Sequence, residues 1–135
     1  AEAENLVPVL RLNLTSDIRW ENHNLPQAWP KHTFYDYTKI SNRKGLPSNY
    51  KLTFSWSGEN ITECQRALDN GMNVAVPFAV KPLRFMGYPV CDGDDNDLRF
   101  LDPPGYIVAL SLKGSLKKNT LSPFIGDNHP QLYNK

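Results

Sequence analysis

The sequence is poor in cysteine: Cys64 and Cys91 are the two thiols among 135 residues. Two thiols cannot form the disulfide framework that stabilises many small secreted domains, and the spacing of this pair matches no compact metal motif. The first residues, Ala-Glu-Ala-Glu-Asn, are polar and acidic and have no signal-peptide character. We therefore expect both cysteines to be ordinary buried thiols in a reducing compartment.

The sequence also lacks a charge imbalance and a long apolar run. Its formal net charge is +1, whereas nucleic-acid binding usually requires a clearly basic balance, so no nucleic-acid partner is predicted. No apolar stretch is long enough to cross a membrane. A hydrophobic content of 40% with 21% charged residues predicts one globular domain over residues 1–135, with a loosely ordered tail from about residue 114.

Several motifs that would name a reaction are missing. There is no glycine-rich phosphate loop, and Ser16 and Ser55 lack the histidine and aspartate context of a nucleophilic triad. The three histidines, His23, His32 and His129, have no metal-ligand spacing. The sequence therefore predicts neither a cofactor nor a metal site, and it names no substrate.

An acidic segment at residues 88–104 is the most unusual stretch that is present. Its carboxylates are Asp92, Asp94, Asp95, Asp97 and Asp102. Such a density of negative charge requires solvent, a cation or an arginine to offset it. Two interpretations stay open, because Asp, Asn and Gly also form ordinary solvated turns, whereas the apolar Leu98, Phe100 and Leu101 would hold a functional loop against a core.

Arg99 is the arginine within this segment. A hard cation needs about six oxygen ligands in a suitable cage, whereas an arginine needs a single carboxylate in fork geometry. We therefore expect Arg99 to be the internal counter-charge, paired with Asp97, Asp102 or Asp17, and the segment to be ordered without a metal.

The order of the predicted elements indicates the fold. Strands are predicted at Leu6–Leu14, Thr33–Lys39, Tyr50–Trp56, Asn73–Phe78 and Tyr106–Leu112. A helix is predicted after Asn60, with Glu63 completing a capping box and Gly71 ending the helix. Residues 20–29 are either a short helix or a loop. Strand, helix and strand in succession predict an α/β fold with a mainly parallel sheet of about five strands, resembling half of a β/α barrel.

Polar residues follow several of the predicted strands. In parallel β/α folds the carboxyl ends of the strands lie at one edge, where function gathers. The candidate polar site consists of Asn13, Asp17, Asp36, Lys39, Asp92, Asp97 and Arg99. Because a half barrel leaves an open edge, self-association or a missing N-terminal partner is also expected.

Five separated segments of the sequence together resemble a known family. They are Arg-Leu-Asn-Leu-Thr-Ser-Asp-Ile-Arg-Trp-Glu (11–21), Phe-Tyr-Asp-Tyr-Thr-Lys (34–39), Tyr-Lys-Leu-Thr-Phe-Ser (50–55), Asn-Val-Ala-Val (73–76) and the stretch 87–103. In this order they resemble the gene-product-eighty-eight-like family of phage- and plasmid-borne proteins, over about residues 6–118. The resemblance implies no stated function. Members of that family carry an upstream segment of closely spaced cysteines, so the chain resembles only the C-terminal part of the pattern, and no cysteine-cluster chemistry is carried over.

Two functions follow as hypotheses. The first is a phage accessory protein, non-catalytic on its own, that acts in the host-cell cytoplasm and binds a protein partner or self-associates. The alternative is an enzyme, or half of one, that is metal-dependent or metal-free and uses the polar site at the carboxyl ends of the strands. Convergence of the candidate side chains in one cleft would favour the enzyme, and their dispersal would favour the binding protein.

Overall fold

A mainly parallel sheet of seven strands organises the chain. The computed structural model describes residues 9–13, 16–41, 43, 46–94, 102, 104–112 and 122–133. The strands are β1 (Val9–Arg11), β2 (Thr33–Thr38), β3 (Tyr50–Ser55), β4 (Asn73–Phe78), β5 (Arg84–Phe85), β6 (Tyr88–Asp92) and β7 (Ile107–Ser111). Their order is β1-β2-β3-β4-β7-β6-β5, and every neighbouring pair is parallel except the antiparallel β5–β6 hairpin.

The α/β class with a mostly parallel sheet is therefore confirmed, whereas the predicted number of about five strands is too small. The additional strands are β5 and β6, which meet in a two-residue turn at Met86 and Gly87. Both turn residues have positive φ, 54° and 81°, as a type I′ hairpin requires. Asn-Gly or Asp-Gly is the usual sequence for such a turn, so Met-Gly does not predict a hairpin. The residues of β6 are therefore part of the predicted acidic segment.

The core lies on the face of the sheet against which helix α2 (Ile61–Asp69) packs. Cys64, Ala67 and Leu68 form the buried side of this helix, and all six residues of β4 are buried, as expected for a central parallel strand. Burial raises the pKa of the Cys64 thiol to about 12. Cys91 is half-buried, so the expectation of two buried thiols holds for Cys64 alone.

Helix α2 begins where it was predicted, but without a capping box. The Asn60 side chain makes no hydrogen bond to the first turn of the helix backbone. Its Oδ1 instead accepts a hydrogen bond from the Ser57 backbone N–H at 2.8 Å, and its Nδ2 donates to the Ser55 carbonyl oxygen at 3.2 Å. Asn60 thus stabilises the connection between β3 and the helix.

Residues 20–29, which the sequence predicts to be either a short helix or a loop, contain two short helical elements. Trp20–His23 forms a 3-10 helix and Leu25–Ala28 forms the four-residue helix α1. None of the helices in the described part of the chain is long and apolar enough to cross a membrane.

Residues 122–133 pack on the core. Ile125 and Leu132 are almost fully buried, and the Trp56 indole N–H donates to the Phe124 carbonyl oxygen at 2.9 Å. Gly58 allows this segment to approach, because a Cβ at Gly58 would lie 2.3 Å from the Pro123 carbonyl oxygen.

A matched pair of glycine substitutions tests the docking of this segment. Gly58 and Gly71 both have positive φ, 91° and 83°, but nothing lies within 4 Å of a Cβ built at Gly71. Gly71→Ala should cost about 1 kcal/mol of unfolding free energy through backbone strain alone. Gly58→Ala should cost at least about twice as much, since it adds a clash with backbone atoms. Urea denaturation measures both, and equal losses would contradict the close contact at Pro123.

Candidate functional site

A buried polar network lies where β1 and β2 end, and the Asp36 carboxylate is at its centre. Asp36 is 0% exposed, although it is an ionisable residue. Its Oδ1 accepts from the Asn13 backbone N–H at 2.7 Å, and its Oδ2 accepts from the Asn13 side-chain amide at 3.2 Å and from the Tyr50 hydroxyl at 2.5 Å. These bonds connect β1, β2 and β3, so the carboxylate is fully engaged with backbone and side-chain donors.

The Arg43 guanidinium extends the network to the 3-10 helix. Its Nε donates to Glu21 Oε2 at 2.9 Å, and its Nη2 makes a second, short bond to Glu21 Oε1. Nη1 donates to the Asp17 carboxylate at 3.3 Å, and Nη2 also contacts the Ile18 carbonyl oxygen and the Tyr50 hydroxyl, both at 3.2 Å. The Arg43 side chain is 0% exposed, and the fork geometry pairs it with Glu21 in the bidentate arrangement typical of strong ion pairs.

Asp17 anchors the loop after β1 to the end of β2. One of its oxygens accepts from the Thr38 hydroxyl, and the other accepts from the Lys39 backbone N–H, both at 2.7 Å. The Lys39 backbone is therefore part of the network, whereas its side chain is exposed. Asn13 completes the arrangement, because its Oδ1 accepts from both the Ser16 hydroxyl and the Trp20 indole N–H at 2.9 Å.

The pKa shifts in the network follow from burial and pairing. Burial raises the pKa of Asp36 and outweighs the hydrogen bonds that lower it. Burial, together with the hydrogen bond to Asp36, also raises the pKa of Tyr50. Burial alone would raise the pKa of Glu21, but its bonds and Coulombic attraction to Arg43 dominate, and the pKa ends below its ordinary value. Although burial lowers the pKa of Arg43, the bonds to Glu21 and Tyr50 raise it overall.

The structure thus brings together only some of the residues of the predicted site. Asn13, Asp17 and Asp36 come together with the backbone of Lys39. Sequence reasoning missed Glu21, Arg43 and Tyr50. Arg43 lies in a stretch that reads as an ordinary polar loop, and nothing in its local sequence indicates that a carboxylate 22 positions away faces it.

Asp92 belongs to a second cluster at the ends of β6 and β7. The Lys81 ammonium contacts the carboxylates of Asp92 and Asp94, and Asp94 also accepts from the Ser111 backbone N–H at 2.9 Å and from its hydroxyl at 2.6 Å. The hydrogen bond to Lys81 lowers the pKa of Asp92. Partial burial would lower the pKa of Lys81, but the two carboxylates raise it overall. Lys81 is therefore the counter-charge of these two aspartates.

Two of the predicted site residues, Asp97 and Arg99, lie outside the described residues. The proposed pairing of Arg99 therefore stays a prediction, although Arg43 occupies the position beside Asp17. Among the residues that the structure describes, no group of three or more His, Cys, Asp or Glu side chains could hold a metal ion.

Comparison with known proteins gives a family and no activity. The sequence model of the family described as Gene product 88 matches residues 1–123. The match covers the N-terminal and central parts of the chain, which corrects the expectation that the resemblance concerns a C-terminal part only. No curated protein and no solved structure matches the chain.

The ion pairs of Arg43 predict a large stability effect. Arg43→Ala should cost about 3 kcal/mol or more of unfolding free energy, because it leaves the Glu21 carboxylate buried without its counter-charge. Combining Arg43→Ala with Glu21→Gln should recover part of this loss, since a neutral amide needs no cation. Arg66→Ala, at an exposed position of α2, is the control in urea denaturation. Equal losses for the two arginine variants would contradict a structural role for the pairs.

Glu21 and Asp36 predict opposite effects of pH on stability. The folded-state pKa of Glu21 lies below the ordinary value of 4.5, so its contribution is complete above that value and is lost as the pH falls through the folded pKa. The folded-state pKa of Asp36 lies above its ordinary value of 3.8, so its contribution is lost as the pH rises from 3.8 through the folded pKa.

Compared with the unsubstituted chain, Glu21→Gln should therefore flatten the loss of stability on acidification, and Asp36→Asn should steepen it. Urea denaturation at a series of pH values between about pH 3 and pH 7 measures both slopes. Glu63→Gln, which alters an exposed carboxylate outside the network, controls for the loss of one negative charge. A change of slope in the same direction in both variants would contradict the assignment.

Proposed function

Since the chain belongs to the gene product 88 family, whose description names no reaction, we propose from the geometry that it is a non-catalytic phage accessory protein that binds a protein partner. The contact surface in this proposal is the loop of residues 79–83, between β4 and β5. The partner supplies an apolar recess for the side chains of Val80 and Leu83.

The proposal that the protein is non-catalytic rests on one observation, which is that the carboxylates of the buried network already accept hydrogen bonds from the fold. A general base needs a lone pair that can reach a substrate, and a nucleophile needs an accessible reactive atom. Both oxygens of Asp36 and both oxygens of Asp17 accept hydrogen bonds from groups of the fold. Asp36 and Glu21 are also buried. The carboxylates of Asp17, Glu21 and Asp36 are therefore engaged in holding strands and loops.

The proposal that the protein binds a partner rests on the exposed apolar side chains of the 79–83 loop. Val80 is 74% exposed and Leu83 is 89% exposed, which makes them the most exposed of the large hydrophobic residues described. Single exposed apolar residues are common on proteins and need no explanation. Two of them on one short loop form a contact surface that a partner with a complementary recess would bury.

The loop is also held in one conformation. The Asp127 carboxylate accepts from the backbone N–H groups of Ala79 at 2.7 Å and Val80 at 3.1 Å. Lys81 is paired with the two aspartates of the second cluster, and the Leu83 carbonyl oxygen accepts from the Val90 backbone N–H at 3.1 Å. A loop held at three points loses little conformational entropy on binding, which favours its use as a recognition element.

The experiment identifies the partner and then measures its affinity. A photoactivatable residue at Arg84, which is exposed beside the loop, captures the partner in cells that carry the protein, and the captured protein is purified for calorimetry. Leu83→Asp should weaken this reconstituted complex at least about tenfold, because burying an unpaired carboxylate in an apolar recess costs more than a single lost contact.

Trp29→Asp provides the matched control, since Trp29 is also exposed, at 55%, but lies outside the loop. It should leave the affinity unchanged. Equal affinities for the unsubstituted chain and Leu83→Asp would contradict the proposal. Light scattering tests the alternative that a second copy of the chain binds this loop. A dimer that Leu83→Asp dissociates would assign the loop to self-association and would overturn the proposal of a separate partner.

A further inference from the structure

Two clefts lie side by side at the carboxyl ends of the strands, and neither belongs to the 79–83 loop. The basic cleft, of about 320 Å³, is lined by Arg11, Ser16 and Lys39 among others. The apolar cleft, of about 230 Å³, is lined by Trp56, Pro77, Leu110 and Phe124 among others. Tyr37 and Ser55 line both clefts, so the two volumes adjoin at these side chains.

The basic cleft presents two cationic side chains, those of Arg11 and Lys39. Within the part of the chain that the structure describes, Lys39 and Arg11 take part in none of the ion pairs. The Arg11 guanidinium lies 5.1 Å from the centre of the Tyr37 ring and donates through Nε to the Asn13 carbonyl oxygen at 3.2 Å. This arrangement restrains the guanidinium, and its two terminal amino groups make no hydrogen bond to the residues that the structure describes.

Asp17 also lines the basic cleft, but its carboxylate oxygens accept hydrogen bonds from groups of the fold. Its oxygens accept from the Thr38 hydroxyl, the Lys39 backbone N–H and the Arg43 guanidinium. An anion that enters the cleft would therefore meet the donors of Arg11 and Lys39, together with the hydroxyl of Ser16, while the carboxylate of Asp17 remains satisfied by its own donors.

The apolar cleft has a different lining. It is bounded mainly by aliphatic and aromatic side chains, from β2, β4 and β7 and from Trp56 and Phe124. Trp56 is held in place by its bond to the Phe124 carbonyl oxygen. Apolar walls with a few polar groups at one end are characteristic of small-molecule sites. In open parallel sheets such sites lie at the carboxyl ends of the strands, which is where both clefts are found.

We propose that the two clefts form one binding site for an amphipathic organic anion. Its anionic group would bind between Arg11 and Lys39, and its apolar body would pass Tyr37 and Ser55 and occupy the cleft formed by Pro77, Leu110 and Phe124. The inference is independent of the protein partner proposed above, because the site shares no residue with the 79–83 loop.

Three probes separate the two halves of this site. Phenylphosphonate carries both an anionic group and an apolar body, inorganic phosphate carries the first alone, and benzyl alcohol carries the second alone. Titrations followed by backbone amide NMR should show phenylphosphonate as the tightest of the three. Its shifts should map to the ends of β1, β2 and β4, and its affinity should fall as the salt concentration rises.

The variants separate the same two halves. Lys39→Gln and Arg11→Gln should each weaken phenylphosphonate about tenfold, the effect of losing one charge-assisted hydrogen bond. Leu110→Ser should weaken phenylphosphonate but leave inorganic phosphate unchanged. Lys31→Ala, at an exposed lysine outside both clefts, should change neither, and thermal melts confirm that each variant is folded.

Several results would overturn the proposal. These are the absence of saturable phenylphosphonate binding, an affinity no higher than that of inorganic phosphate, and shifts that map away from the two clefts. Unchanged phenylphosphonate affinity in Lys39→Gln and Arg11→Gln would also exclude the basic cleft as the site of the anionic group.

Discussion

The buried Asp36 carboxylate is the constraint on which the first half of the fold depends. An ionisable group with no solvent contact is unfavourable unless donors replace the water that it loses. Here the donors come from Asn13 after β1 and from Tyr50 at the start of β3, so satisfying the carboxylate fixes β1 and β3 on either side of β2. Within the described residues, β1 comprises three residues and pairs with β2. The side-chain bonds at its end therefore contribute substantially to its position.

The groups that surround Asp36 also need hydrogen-bond partners. Tyr50 donates to the carboxylate and accepts from Arg43, and Arg43 in turn neutralises Glu21. In this network each of these buried polar groups is satisfied by its neighbour, which is how buried networks specify a single arrangement. The 3-10 helix that carries Glu21 is placed by this pairing in addition to its few apolar contacts.

How far the sequence predicted the structure depends on the range of the interaction involved. The sequence predicts strands at Thr33–Lys39, Tyr50–Trp56 and Asn73–Phe78, because aromatic and branched runs favour extended structure locally. The structure has these strands at Thr33–Thr38, Tyr50–Ser55 and Asn73–Phe78. The alternation in β2 places Phe34, Asp36 and Thr38 on the buried side, and only tertiary contacts decide that the face with the aspartate turns inward.

Charge pairing was less predictable for the same reason. Asp92 and Asp94 are both paired with Lys81, which precedes Asp92 by 11 positions and is brought to the pair by the β5–β6 hairpin. Proximity in sequence pointed to Arg99 as the counter-charge of Asp97, Asp102 or Asp17, and it gave no indication that Lys81 pairs with Asp92 and Asp94. A hairpin that closes on Met-Gly gives little local signal, so the lysine could not be brought to the aspartates by reasoning from the sequence. Pairing of this kind is set by the turn and by strand order.

The saturated network and the open clefts are linked through Lys39. The network ties the Lys39 backbone N–H to Asp17, which is itself held by Thr38 and Arg43. The exposed Lys39 ammonium therefore extends from a fixed point at the mouth of the basic cleft. Arg11 is likewise restrained by the Tyr37 ring and by the Asn13 carbonyl oxygen. Binding loses less conformational entropy when charged side chains start from fixed positions. The carboxylates of Asp17 and Asp36 would thus help to hold the cations of the proposed anion site in place, Asp17 through the Lys39 backbone and Asp36 through Asn13.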